Sequence, residues 1–247
     1  MTASLTMIGR SIRLSRRNLD LVFMAIVLPV LMMALFVYVF GGAISSTRSY
    51  VDYVVPGILV LCTGYGATST AMSVTDDMRK GVVDRFRSMP ISGFSVLTGH
   101  VVASVARNGL ATFAVVLVAL LMGFRPAASF GSWILAMGLL ALYVLALSWL
   151  AAGLGVIART VESASLFGFF MLFIPYLSSA FVPVATMPSW LRVVSEHQPI
   201  TPVIETVRAL LNGQEATSGR LALAWSGGLL LVAFGWATWL FSRISRR

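Results

Sequence analysis

A chain of 247 residues that is 58% hydrophobic and only 11% charged, with mean hydropathy +0.89, lacks the composition of a water-soluble domain, in which about a quarter of residues are charged. Its net charge of +9 suggests nucleic acid at first, but seventeen of the eighteen basic residues are Arg scattered between apolar runs, a pattern that orients a chain in a membrane. Cys62 is the only cysteine and lies within an apolar run, which excludes an intrachain disulfide and a multi-cysteine metal site.

Ahead of the first apolar run, Leu5, Ile8, Ile12 and Leu19 share one helical face while Arg10, Arg13 and Arg17 take another. That spacing predicts an amphipathic helix lying in the inner-leaflet interface, with a disordered basic leader as the alternative. A cleavable signal does not fit, because the Arg-bearing segment is long and the following run is a full span, so the first run reads as a retained anchor.

Six runs reach the roughly 20 residues needed to cross a bilayer: 21–40, 54–74, 97–122, 133–157, 163–182 and 221–241. Lipid forces such segments to satisfy their backbone internally, so the expected fold is an all-α membrane protein, one domain over 1–247 with six transmembrane helices. An even number puts both termini on one side. That side carries twelve basic residues (Arg10, Arg13, Arg16, Arg17, Arg79, Lys80, Arg85, Arg87, Arg159, Arg243, Arg246, Arg247) against five opposite (Arg48, Arg125, Arg192, Arg208, Arg220). The positive-inside rule therefore places both termini in the cytoplasm.

Between the second and third runs, the segment from Thr75 to Pro90 has acid at its start, base at its end and a terminating proline, and it predicts a short cytoplasmic helix. Met78, Val82, Phe86 and Met89 form its apolar stripe, with Arg79, Asp84 and Arg87 projecting elsewhere. Two readings fit: docking into a partner's groove, or resting on anionic headgroups.

Within the third run lie His100, Arg107 and Asn108, and charged groups inside a span mark a candidate functional site. His100 and Arg107 fall on one helical face. Arg107 is expected to pair with Asp20 or Glu162 or to line a cytoplasmic entrance; the alternative is that it snorkels to the inner interface.

The external segment after the fifth run contains Pro183, Pro188, Trp190, Pro199, Pro202, Glu205 and Arg208, and ends at Gly213. Four prolines predict broken helix continuity, and Gly213 a helix C-cap. Two short apolar-faced pieces result. They either dip into the outer leaflet as a re-entrant hairpin or form an interfacial loop anchored by Trp190. Ala151 with Gly155, and Ala224 with Gly228, would permit close helix packing.

Taken together, the stretch Arg79-Lys80-Gly81 running to Pro90, Gly99 with Arg107-Asn108, and above all the run from Met187 to Gly213 resemble the type 2 family of ATP-binding-cassette exporter permeases, closest to its daunorubicin-resistance branch. The resemblance implies a bacterial inner-membrane exporter subunit with a coupling helix at Arg79, Lys80, Gly81, Val82, Asp84, Arg85, Phe86, Arg87 and Met89. It also implies an external re-entrant hairpin over 183–213, a separate ATPase subunit, and a second permease subunit, either a copy or a paralogue. One departure stands out. The family often has an acidic-Arg-acidic pattern before the glycine, whereas Met78 and Lys80 flank Arg79 here.

Residue chemistry limits the subunit independently. A phosphate-binding loop needs a Gly-rich turn ending in Lys then Ser or Thr, and the only lysine, Lys80, is followed by Gly81. ATP and Mg²⁺ are therefore expected on the partner, with no cofactor in this chain. All nine acidic residues fall outside the predicted spans, which disfavours an ion-coupled secondary transporter. His100, His197 and Cys62 form no catalytic or metal spacing, which disfavours an enzyme. The cargo expected from the apolar walls is an amphipathic drug or lipid-like molecule, without excluding a glycolipid. A non-transporting assembly subunit is the third alternative.

Overall fold

The computed structural model describes residues 19–44, 47–81 and 93–244, and among them every regular element is a helix. The expected interfacial helix and the coupling residues Val82, Asp84, Arg85, Phe86, Arg87 and Met89 lie outside the described residues. Among the described residues, five helices are long and apolar enough to cross a membrane. α1 (Leu19–Ala34) continues through a π-helical stretch at Leu35–Phe40, and α2 (Thr47–Arg79), α3 (Gly93–Leu121) and α4 (Phe130–Ile157) follow in order. α5 (Val161–Phe173) is shorter, α6 (Ser189–His197) and α7 (Ile200–Leu211) are short helices that follow it, and α8 (Gly219–Ile244) is the last described helix.

α2 is the axis of the bundle. It packs against α1, α3, α4, α5 and α7, while α8 covers another face of α4. Such contact demands small side chains: a Cβ built on Gly155 of α4 would stand 2.5 Å from the carbonyl oxygen of Ala71, so glycine is what lets α4 reach the backbone of α2. The expected Ala151–Gly155 pair is thus used within the chain, whereas a Cβ at Gly228 would meet nothing within 4 Å. Where α2, α3, α4 and α8 end together, Val74, Leu97, Val101, Trp149, Val156 and Phe241 form a separate apolar cluster.

Four expectations are corrected. Thr75, Asp76, Asp77 and Met78 do not open a separate helix; they are the last turns of α2, which stops at Gly81 (φ +63). The acids that imitate a helix start have other work there, Asp76 pairing with Lys80 at 2.6 Å and Asp77 turning inward, so not all acidic residues lie outside the spans. The fifth run, expected over 163–182, is 13 residues of α-helix and 4 of 3₁₀-helix (Ile174–Leu177), ended where Pro175 removes an amide donor. Pro202, expected to break continuity, lies in the first turn of α7, where the amide it lacks would have had no helical partner.

Candidate functional site

His100, Ser104, Arg107 and Asn108 of the third run are buried against α2 or α4. His100 Nε2 lies 3.0 Å from Asp77 Oδ2 with both residues 7% exposed; an ionised carboxylate only accepts, so the imidazole nitrogen is the donor. One heptad along both helices, the buried Arg107 directs Nη2 toward Thr70 Oγ1 at 3.5 Å. Asn108 donates to the Ser104 carbonyl at 3.0 Å, and Ser148 of α4 donates to Ser104 Oγ at 2.9 Å. A Cβ on Gly66 would lie 2.7 Å from Asn108 Cγ, so this carboxamide rests directly on the α2 backbone.

His100, Arg107 and Asn108 therefore line a buried seam between helices. At 8% exposure Arg107 is buried within the bundle, and the expected partner Glu162 is exposed. Sequence reasoning missed Asp77, Thr70 and Gly66. The signal was present, since Thr70 and Asp77 are spaced by the same seven residues as His100 and Arg107.

The opposite end is organised by Arg208. Its Nε donates to the Tyr53 carbonyl at 3.0 Å and its Nη2 to the Ser179 carbonyl at 2.6 Å, while its guanidinium lies 3.8 Å from the Tyr53 ring centroid. Burial pushes this guanidinium below its ordinary pKa, opposed by Tyr53 and Glu205. Tyr53 and Tyr50 extend the tie by donating to the carbonyls of Ser179 at 2.9 Å and Phe181 at 3.0 Å. α7 is consequently buried along Ile200, Val203, Ile204, Val207 and Leu211. Pro183 precedes a 3₁₀ turn, Pro188 and Pro199 stand just before α6 and α7, and Trp190 is 69% exposed. Glu205 accepts from Ser218 at 3.4 Å. Gly213 (φ +68) ends α7 as expected, with Gln214 donating to the Ala209 carbonyl at 2.8 Å and Gly213 to that of Leu210.

Between α3 and α4 runs an apolar groove of about 580 Å³, lined among others by Phe113, Val116, Leu117, Trp133, Met137 and Leu140. Among the described residues no group of His, Cys, Asp and Glu is placed to hold a metal.

The sequence profile of the ABC-2 type transporter family matches residues 2–212. The chain belongs to that family. As an ABC-2 permease it is similar to the daunorubicin resistance ABC transporter permease protein DrrB1 of Streptomyces coeruleorubidus, 30% identical over 90% of this chain and 77% of that protein. It is also similar to the probable doxorubicin resistance ABC transporter permease protein DrrC of Mycobacterium tuberculosis, at 24% identity over 84% of this chain and 76% of the relative. The inner membrane transport permease YadH of Escherichia coli K12 is 28% identical over 73% of this chain and 72% of its own length.

Proposed function

We propose that this ABC-2 permease is the membrane-crossing subunit of an ATP-driven exporter that moves an amphipathic drug or lipid-like molecule outward across a bacterial inner membrane. The observation carrying this reading is the similarity to a daunorubicin resistance permease over 90% of the chain. Its apolar lipid-facing helices and the groove between α3 and α4 suit such a cargo.

Energy comes from a separate ATPase subunit that holds ATP and Mg²⁺, because Lys80 is the only lysine and no phosphate loop can be written around it. That subunit engages the coupling segment starting at Arg79, Lys80 and Gly81, where α2 stops. A second permease subunit completes the pathway. The 13 α-helical and 4 3₁₀-helical residues from Val161 to Leu177 supply about 27 Å of rise, close to a bilayer core of about 30 Å, and make the sixth crossing. Both termini then lie in the cytoplasm, and α6 with the buried α7 forms the re-entrant hairpin on the outer side.

The test uses proteoliposomes containing the chain alone or with its co-purified ATPase subunit, loaded with a fluorescent anthracycline. The chain alone hydrolyses no ATP, and the pair shows nucleotide-dependent transport. Nucleotide turnover by the chain alone, or transport driven by an ion gradient without nucleotide, overturns the reading.

A further inference from the structure

α2 and α3 flank the segment 82–92, and their facing polar groups recur in register. Asp77 meets His100 at 3.0 Å, Thr70 meets Arg107 at 3.5 Å one heptad deeper, and Asn108 settles on Gly66 beyond them. Heptad spacing keeps such residues on one face of a packed helix pair. Polarity falls along the seam, from a carboxylate with an imidazole, through a guanidinium on a hydroxyl, to an amide on bare backbone. The acid and the imidazole sit among Val74, Leu97 and Val101, which already supply apolar contact between the helices. A buried pair of this kind adds little net cohesion over an apolar one, but it fixes register, since slipping either helix strands a polar group. Asp76, next in sequence, faces out to Lys80, so the inward carboxylate belongs to Asp77 alone.

We infer that Asp77 and His100 are a positioning pair that clasps α2 to α3, so that movement imposed on the segment between them enters the bundle as one lever. Asp77 lies four residues before the stop of α2 at Gly81, and His100 lies seven residues after Gly93, the first residue of α3. Without the clasp, the two helices slide past each other and absorb the displacement. This rests on the exporter-subunit reading, in which an ATPase acts on that segment.

The test measures ATP hydrolysis and transport together in proteoliposomes holding the chain and its ATPase subunit. Asp77→Ala and His100→Ala keep the partner in pull-down and keep hydrolysis, while transport per ATP falls at least about fivefold. The swap Asp77→His with His100→Asp restores most of the ratio, and Asp76→Asn matches the parent. Single variants with the parent's ratio, or a swap no better than either single variant, overturn the inference. Should the single variants fail to accumulate, Asp77→Cys with His100→Cys, bridged by a short bis-maleimide that adds one thiol at each end, replaces the clasp: transport that rises on bridging supports it, and transport indifferent to bridging defeats it. A parent chain without nucleotide-driven transport counts against the exporter reading; parent-like variants beside an active parent count against the clasp alone.

Discussion

Pro29 has no amide hydrogen for the carbonyl of Ala25 one turn back, and the Cys62 thiol of α2 donates to that oxygen at 3.6 Å. The lone cysteine thus repairs a proline gap in a neighbouring helix. Cys62→Ser, with a stronger donor of similar size, is expected to keep the melting temperature in detergent, while Cys62→Ala costs about 1 kcal/mol. Gly66 answers to sterics instead. Gly66→Ala forces a methyl into the Asn108 carboxamide and destabilises by about 1–3 kcal/mol, and Asn108→Ala in the same chain recovers part of the loss in a double-mutant cycle of melting temperatures. Pro29, Cys62, Gly66 and Asn108 are all conspicuous in the sequence. Their pairing was not legible, because it depends on the rotation of each helix about its axis, which an apolar run on all sides leaves undetermined.

α7 owes its place to one side chain on its polar side. Truncating Arg208 leaves the Tyr53 carbonyl without its guanidinium donor and the Ser179 carbonyl with only the Tyr53 hydroxyl, and hydrogen bonds from a charged donor are worth about 2 kcal/mol each. Arg208→Ala is expected to raise protease cleavage between α6 and α8, and Arg208→Lys to rescue little, since an ammonium cannot fork between two carbonyls and stack on Tyr53. Equal protease resistance of all three proteins sinks this account. Element ends were legible where a backbone rule governs them: Gly213 stops α7 because its positive φ permits the closing turn. They misled where side chains had a tertiary partner. Asp76 and Asp77 mimic a helix start, yet an ion pair with Lys80 and the contact with His100 make them the last turns of α2.

Across the whole molecule, the all-helical, membrane-crossing character was legible from the apolar runs, because a bilayer tolerates little else, and among the described residues five of the six expected runs fall on helices long and apolar enough to cross; the depth of each run inside the bundle was not legible. Orientation is checked by accessibility in a Cys62→Ser background. A cysteine at the exposed Ser189 is expected to react with an impermeant thiol reagent from outside intact cells, and one at Ser88 only after permeabilisation. The reverse pattern inverts the topology. Among the five long helices, α2 has the lowest mean hydropathy, yet 94% of its most apolar stretch is buried, against 22% for α1 and for α8. Order of synthesis therefore conflicts with order of shelter: α2 leaves the ribosome before α3, α4 and α7 exist to surround it. In a nascent chain arrested between α2 and α3, Cys62 of α2 is expected to react with a water-soluble thiol reagent, and extending the arrest point past α4 is expected to shield it; equal protection at both lengths defeats this account. The helix at the centre of the finished bundle is thereby expected to settle into the membrane only once its later neighbours have been made.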